Sequence, residues 1–186
     1  LFLQGASGNI NHVDVSGELA FERDSHYKKI GRILAGEVIQ VREKIVPSPE
    51  YRLRIQSAFV PVQFRLPSEA ELAEARQLLQ SDESVNPLAL NFARQRVQLA
   101  ERGPEGVEVE IQAWSLGDGE MSMVFLPAEI FVEFGLAIKQ ASPFPFTMVT
   151  ELANGSVSGY VCTPAAYEQG GYEPQLREYS RLQVEA

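Results

Sequence analysis

A strictly alternating segment, residues 107–114, constrains the fold more than any other part of the chain. It reads VEVEIQAW, and apolar side chains at every second position predict a β-strand with one buried and one exposed face. The next residues, SLGDGE, contain a Gly-Asp turn signal, and MSMVFLP at 121–127 is apolar enough for a buried strand. The sequence therefore predicts an antiparallel hairpin within a sheet that is covered on one face.

Helical patterns lie on both sides of this hairpin. Residues 22–44 carry apolar side chains three to four positions apart, and prolines in VPSP end that pattern. Ser68 precedes Glu71 by three positions, which is the spacing of a capping box. The predicted helices cover 22–44, 68–80, 87–102 and 129–140, and the other predicted strands cover 1–4, 51–66 and 146–152.

This order of elements predicts an α/β protein with mixed α+β layers, in which helices pack on a mixed sheet. Segment 68–103 is the best candidate for a helical arm or an insertion. The chain begins inside a predicted strand and has no initial Met. We therefore expect it to be an incomplete piece of a larger catalytic domain.

Charge and composition argue against several classes of function. The net charge is −9 and the pI is about 4.8, whereas nucleic-acid phosphates require clustered Lys and Arg. No apolar run approaches the roughly 18 residues of a membrane span, so we expect no transmembrane segment. Cys162 is the only cysteine, which excludes an intrachain disulfide, and it has no electropositive neighbours in sequence to make it reactive.

Three places follow predicted strands, which is where sites gather in sheets with helices packed on them. They are the Gly-rich turn GASGNIN at 5–11, Glu129 in the segment PAE, and a tyrosine-rich loop at 153–173. The simplest interpretation of Glu129 is a favourable charge at a helix N-terminus. The two histidines, His12 and His26, form no zinc motif such as HExxH.

Three segments in this order resemble the neutral/alkaline non-lysosomal ceramidase family. They read FLQGASGNIN, LPAEIFVEFGLAIKQASPF and ANGSVSGYVCTPAAYEQGGYE, and the resemblance covers about residues 1–15 and 115–180. It is closest to bacterial ceramidase-like proteins that carry only the N-terminal catalytic domain, of which this chain would be the C-terminal half. Members of the family hydrolyse the amide bond of ceramide, a sphingolipid, and the resemblance suggests a secreted or periplasmic protein.

The resemblance implies a zinc centre held by two histidines, a glutamate and a tyrosine. Glu129 matches the glutamate ligand, and Tyr160 in GYVCT matches the tyrosine ligand. Tyr172 matches a second tyrosine, which would face the substrate or the developing oxyanion, while Tyr167 would pack. The two histidine ligands are expected upstream of this chain, in the remainder of the same catalytic domain.

The Gly-rich turn departs from the family pattern. Ceramidases place an important serine in a Gly-Asp-x-Ser-Pro-Asn turn, whereas this chain has Asn9 at the aspartate position and Asn11 at the serine position. An asparagine can donate a hydrogen bond to an oxyanion but cannot act as a nucleophile. We therefore predict Asn11 and Tyr172 as catalytic residues, and Gly8, Asn9 and His12 as substrate contacts.

Three hypotheses about function remain open. The first is a zinc-dependent hydrolase of the ceramidase-like class that cleaves the N-acyl bond of a lipid-like substrate with metal-activated water. The second is a non-catalytic domain of the same fold that binds a lipid or a glycan, which the substitution at Asn11 favours. The third is an unrelated enzyme class that carries similar short motifs.

Overall fold

The computed structural model of the protein describes residues 2–14, 16, 25–47, 50–81, 85–155 and 159–184. The chain divides into two compact units, of which the larger contains Leu1–Ile10 and Leu53–Ala186 and the smaller contains Asn11–Arg52. The helices are α1 (His26–Lys44), α2 (Glu69–Gln80), α3 (Pro87–Arg102), α4 (Val132–Ala141) and α5 (Pro164–Gln169). The strands are β1 (Leu53–Gln63), β2 (Gly106–Leu116), β3 (Met121–Phe125), β4 (Glu129–Ile130), β5 (Phe146–Thr150) and β6 (Tyr160–Val161).

A four-stranded mixed sheet in the larger unit has the order β1–β2–β3–β5. β1 and β2 pair antiparallel along their whole length, and β2 continues through a turn at 117–120 into antiparallel pairing with β3. β5 lies parallel to β3. The predicted hairpin and the predicted α/β class with a mixed sheet and packed helices are both confirmed.

Helices α2 and α3 begin where their capping residues predict. The Ser68 side chain accepts from the backbone N–H of Glu71 while the Glu71 carboxylate accepts from that of Ser68, so the capping box is present. Asn86 caps α3, Pro87 occupies its first turn, and Gly103 follows its last residue. That 68–103 is an insertion stays a prediction.

The predicted helix at 129–140 is wrong at its start. Glu129 and Ile130 form β4, which pairs in parallel with β6, and α4 begins only at Val132. The backbone N–H of Glu129 donates to the Gly159 carbonyl at 2.6 Å. Because this partner lies far along the chain, a local pattern of apolar residues could not reveal it. The interpretation of Glu129 as a charge at a helix N-terminus is therefore discarded.

Two other boundaries differ from the prediction. Residues 2–4 of the predicted first strand are not in a strand, and the Gln4 carbonyl accepts a single backbone hydrogen bond there, from Glu151 at 2.9 Å. α1 begins at His26 rather than at residue 22, and residues 22–24 lie outside the described part of the chain. None of the helices in the described ranges is both long and apolar enough to span a bilayer.

The main hydrophobic cluster places β4 against the sheet. It contains Leu126, Ala128, Ile130 and Val149, and the partly buried side chains of α4 pack against it. Side chains alternate along a strand, so burial of Ile130 turns its neighbour Glu129 to the other face of β4. The core thereby determines which way the candidate site residue points.

Candidate functional site

The candidate site is built on the short parallel pair of β4 and β6. Glu129 lies directly opposite Tyr160, and Ile130 lies opposite Val161. Gly159 precedes Tyr160 with a φ of +74°, a conformation that favours glycine, and a Cβ at this position would collide with the Tyr179 carbonyl. The glycine in GYVCT thus allows the chain to enter β6, and the register brings a carboxylate and a phenol from distant segments to the same position.

The phenol of Tyr160 is strongly perturbed by its surroundings. Burial raises the pKa of Tyr160 to about 12, and the negative charge of Glu129, which also accepts a hydrogen bond from the phenol, adds to the increase. The phenol is therefore protonated near neutral pH, and the two side chains are electrostatically coupled.

Tyr172 lies beside this pair. Its ring is edge-on to the ring of Tyr160, with centroids 6.2 Å apart and an interplanar angle of 80°. The residue is 49% exposed. The structure therefore brings together three of the predicted site residues, Glu129, Tyr160 and Tyr172. Tyr167 is half-buried, with the Arg65 guanidinium carbon 4.5 Å from its ring centroid.

A buried arginine that the sequence analysis did not single out holds Tyr172 in place. The guanidinium carbon of Arg177 lies 3.8 Å from the centroid of the Tyr172 ring, and its Nη1 donates to the Tyr172 carbonyl at 2.5 Å. The same carbon is 5.7 Å from the Tyr160 ring and 5.0 Å from the Phe92 ring. Aromatic faces attract cations, so three rings surround this positive charge.

Gly8 and Asn9 contact the elements that carry the site. The Gly8 N–H donates to the Ile130 carbonyl at 2.8 Å, and a Cβ on Gly8 would lie 2.7 Å from the Glu129 carbonyl oxygen. The Asn9 side chain accepts from the Val132 N–H at 2.8 Å and donates to the Glu133 carboxylate. Because Val132 and Glu133 are the first two residues of α4, Asn9 caps this helix from a distant segment. Both residues thus hold the Gly-rich turn against β4 and α4. Their predicted contacts with substrate stay predictions.

Asn11 and His12 belong to the smaller unit. The Asn11 side chain accepts from the backbone N–H of Val13 at 3.2 Å, which is a local turn interaction. The His12 ring lies 5.8 Å from the His26 ring, and His26 Nε2 is 3.0 Å from the His12 carbonyl oxygen. The predicted catalytic role of Asn11 and the predicted substrate contact of His12 stay predictions.

Glu151 is a buried carboxylate that the sequence analysis did not identify as a site residue. It is only 4% exposed, and its oxygens accept from the backbone N–H and hydroxyl of Ser7 and from the Ile130 N–H, at 3.2, 2.6 and 2.8 Å. It therefore ties the Gly-rich turn to β4. The one signal in the sequence is a single acidic residue within the otherwise apolar predicted strand 146–152.

The residues present fit half of the zinc centre that the resemblance implies. Glu129 and Tyr160 offer two oxygen donors at one position of the β4–β6 pair, and zinc accepts carboxylate oxygen ligands. Within the described ranges, no three side chains from His, Cys, Asp and Glu are grouped so that they would hold a metal ion. Further ligands would have to come from residues other than these.

Comparisons with known proteins leave the family undetermined. No protein-family model, no curated protein and no solved structure gives a significant match to this chain.

Proposed function

We propose that the β4–β6 pair is part of a zinc-dependent hydrolase site that cleaves the amide bond of an N-acylated, lipid-like substrate. One observation supports this most. Two residues that separate motifs nominate as ligands of one metal, Glu129 and Tyr160, lie opposite each other in the β4–β6 pair, close enough for the Glu129 charge to raise the pKa of the phenol. Two ligands of the same ion must be neighbours, and nothing in local sequence patterns requires these two to be so.

The chain's own residues would have distinct tasks. Zinc supplies such centres with polarisation of a carbonyl and a lowered pKa of a bound water. Glu129 and Tyr160 would hold the ion, and because the Tyr160 phenol is protonated near neutral pH, coordination by its oxygen would release a proton. Tyr172, which is 49% exposed, would donate a hydrogen bond from its hydroxyl to the oxygen of the scissile carbonyl as negative charge develops there.

A non-catalytic domain that binds a lipid or a glycan is the second candidate. The observation that favours it is Asn11, which stands where the family has a serine and which cannot act as a nucleophile. The protein would then bind its ligand without turning it over. Metal content and turnover together distinguish these two candidates.

The first test is zinc content by elemental analysis of the longest purifiable form of the protein. We expect about one zinc per chain in the parent and little in Glu129→Gln and Tyr160→Phe, since the first replaces a carboxylate ligand by a neutral amide and the second removes the phenol oxygen. Glu168→Gln, on an exposed position of α5, is the matched control and should retain the metal. Equal zinc in all four proteins, or none in the parent, would contradict the proposed centre.

The second test is hydrolysis of N-acyl sphingoid amides and of matched esters by the zinc-loaded protein. Amide turnover that Glu129→Gln abolishes and Glu168→Gln preserves would support the hydrolase. Zinc binding without turnover of either substrate type would instead support the binding domain.

A further inference from the structure

Helix α1 differs from the other helices of ten or more residues in that none of its residues is buried. All 19 of its residues are described, and only His26 and Ile30 are half-buried while the others are exposed. In contrast, α2, α3 and α4 each contain at least one buried residue. Helices of this length owe most of their stability in proteins to the packing of an apolar face. The described residues of the chain thus leave the face of α1 accessible to a partner.

An apolar stripe runs along one side of α1. It consists of Tyr27, Ile30, Leu34, Val38 and Val41, which are three or four positions apart and, at about 3.6 residues per turn, share an arc of about 80°. Leu34, Val38 and Val41 are exposed at 50%, 65% and 52%. Single exposed apolar residues are ordinary on a protein surface, but a continuous stripe of them marks an interaction surface.

The net charge of α1 is opposite in sign to the net charge of the whole chain. α1 contains five Lys or Arg residues and two Glu residues, whereas the chain contains 16 Lys or Arg and 25 Asp or Glu. Arg42 and Lys44 flank the stripe on its two sides, and the other three cations lie on the opposite side of the helix. Glu37 shares the Lys44 side, so the flanks together keep a net positive charge. The stripe and these charges suit a partner that is apolar inside and negatively charged at its surface.

We propose that α1 lies flat on an anionic lipid membrane, with its apolar stripe at the boundary between headgroups and acyl chains. A basic amphipathic helix that is too polar to span a bilayer binds in this way, through buried apolar area and attraction to anionic lipids. Arg42 and Lys44 have long side chains that reach headgroup phosphates from the flanks of the stripe. The other cations stay within one helix diameter of the surface, about 10–12 Å, which is close to the screening length of about 10 Å at 0.1 M salt. The same screening limits repulsion by the acidic remainder of the chain.

A second copy of the chain would also cover the stripe, but charge opposes it. Two net-positive helices would then lie side by side, and like charges disfavour such a contact. An acidic protein would offer the same charge as an anionic membrane. The choice of the membrane rests on the proposed function, in which the substrate is lipid-like.

The test is cosedimentation of the full chain, metal-free in EDTA at about 0.1 M salt, with two kinds of lipid vesicle. One kind is phosphatidylcholine alone, and the other contains about one third phosphatidylserine. We expect at least about tenfold tighter binding to the anionic vesicles, because each Lys or Arg near a negative membrane surface adds to the attraction. Equal binding to both kinds, or binding to neither, would overturn the proposal.

Leu34→Gln combined with Val38→Gln is the decisive variant, because it removes the middle of the stripe without changing the charge and with little net change in helix propensity. Ile33→Gln combined with Ile39→Gln is the matched control, since these side chains are exposed to a similar extent, at 56% and 62%, but lie outside the stripe. We expect the affinity for anionic vesicles to fall at least about tenfold in the first variant and no more than about twofold in the second. An equal loss in both would indicate non-specific adhesion and would overturn the proposal.

Analytical ultracentrifugation of the parent without vesicles tests the second copy as the partner. A dimer that dissociates in the Leu34→Gln, Val38→Gln variant, together with no vesicle binding by the parent, would assign the stripe to self-association and overturn the proposal. The zinc content of this variant after metal loading should equal that of the parent. Because vesicle binding is measured without metal, failure of this proposal and failure of the proposed zinc centre give different results.

Discussion

Two buried charges of opposite sign lie near the candidate site, and the protein accommodates them differently. Glu151, beside β4, receives three hydrogen bonds from Ser7 and Ile130. Arg177, beside β6, makes one side-chain hydrogen bond, to the Tyr172 carbonyl, and otherwise contacts the faces of aromatic rings. Its Nη2 has no partner among the described residues, and none of the ion pairs found there includes it.

The difference shows how replaceable each charge is. The buried Ile130 N–H would lose its acceptor if the Glu151 carboxylate were removed, and the half-buried Ser7 donors would lose theirs, so we expect the carboxylate to be hard to replace. Cation–π attraction is less directional and weaker, and the aromatic rings around Arg177 would also pack against a neutral side chain of similar length. The two sites should therefore respond unequally to the same kind of substitution.

The largest effect is expected from Glu151→Leu. This variant leaves the buried Ile130 N–H and two half-buried Ser7 donors without their acceptor, and a buried unsatisfied donor costs about 1–3 kcal/mol, so we expect a loss of about 2–4 kcal/mol in the free energy of unfolding. Urea denaturation followed by circular dichroism measures it. Glu168→Leu, on an exposed position, should change stability by no more than about 0.5 kcal/mol. A Glu151→Leu protein as stable as this control would show that the buried carboxylate does not hold β4 and the Gly-rich turn together.

A smaller effect is expected from Arg177→Met. Methionine keeps most of the packing volume and loses the cation–π contacts and one hydrogen bond, while it also removes a charge that lacks an ionic partner. We expect a net loss of about 1–2 kcal/mol, because the gain from removing that charge offsets part of the lost interactions. Urea denaturation under the conditions used for Glu151→Leu gives the comparison. A larger loss of stability in Arg177→Met than in Glu151→Leu would contradict the view that hydrogen bonds make Glu151 harder to replace than Arg177.

Local patterns predicted the elements whose causes lie within a few residues of each other. The capping box at Ser68, the α3 limits and the hairpin that contains 107–114 all depend on near neighbours, and all three were predicted correctly. The start of the helix at Glu129 was predicted wrongly, since β4 exists only through its pairing with the distant β6.

The candidate site was only partly predictable for the same reason. A family resemblance nominated Glu129, Tyr160 and Tyr172, and the structure places these three side by side. Glu151 and Arg177 look like ordinary charged residues in sequence, because burial of a charge depends on which distant groups surround it. Asn9 was predicted as a substrate contact, and its side chain caps a helix that begins 123 positions later, at Val132.

The last prediction concerns Cys162, on the β6 side, and leaves stability at neutral pH unchanged. Burial raises the pKa of the Cys162 thiol from its usual 9.0 to about 11, although the positive charge of Arg65 acts in the opposite direction. The folded state therefore favours the neutral thiol. Its contribution to stability is fully present below pH 9 and is lost as the pH rises toward 11.

Iodoacetamide labelling at pH 8 measures this directly, because the thiolate is the reactive form. A shift from 9.0 to about 11 reduces the thiolate fraction roughly 100-fold, so native Cys162 should label at least that much more slowly than the urea-unfolded protein, with Cys162→Ser as the background control. Equal rates in the two states would contradict the buried thiol.

Arg177→Met should speed labelling in buffer if aromatic contacts around Arg177 hold the β6 side closed. Glu151→Leu should speed it only as far as its global unfolding does, so the two variants would separate local opening beside β6 from loss of the whole fold.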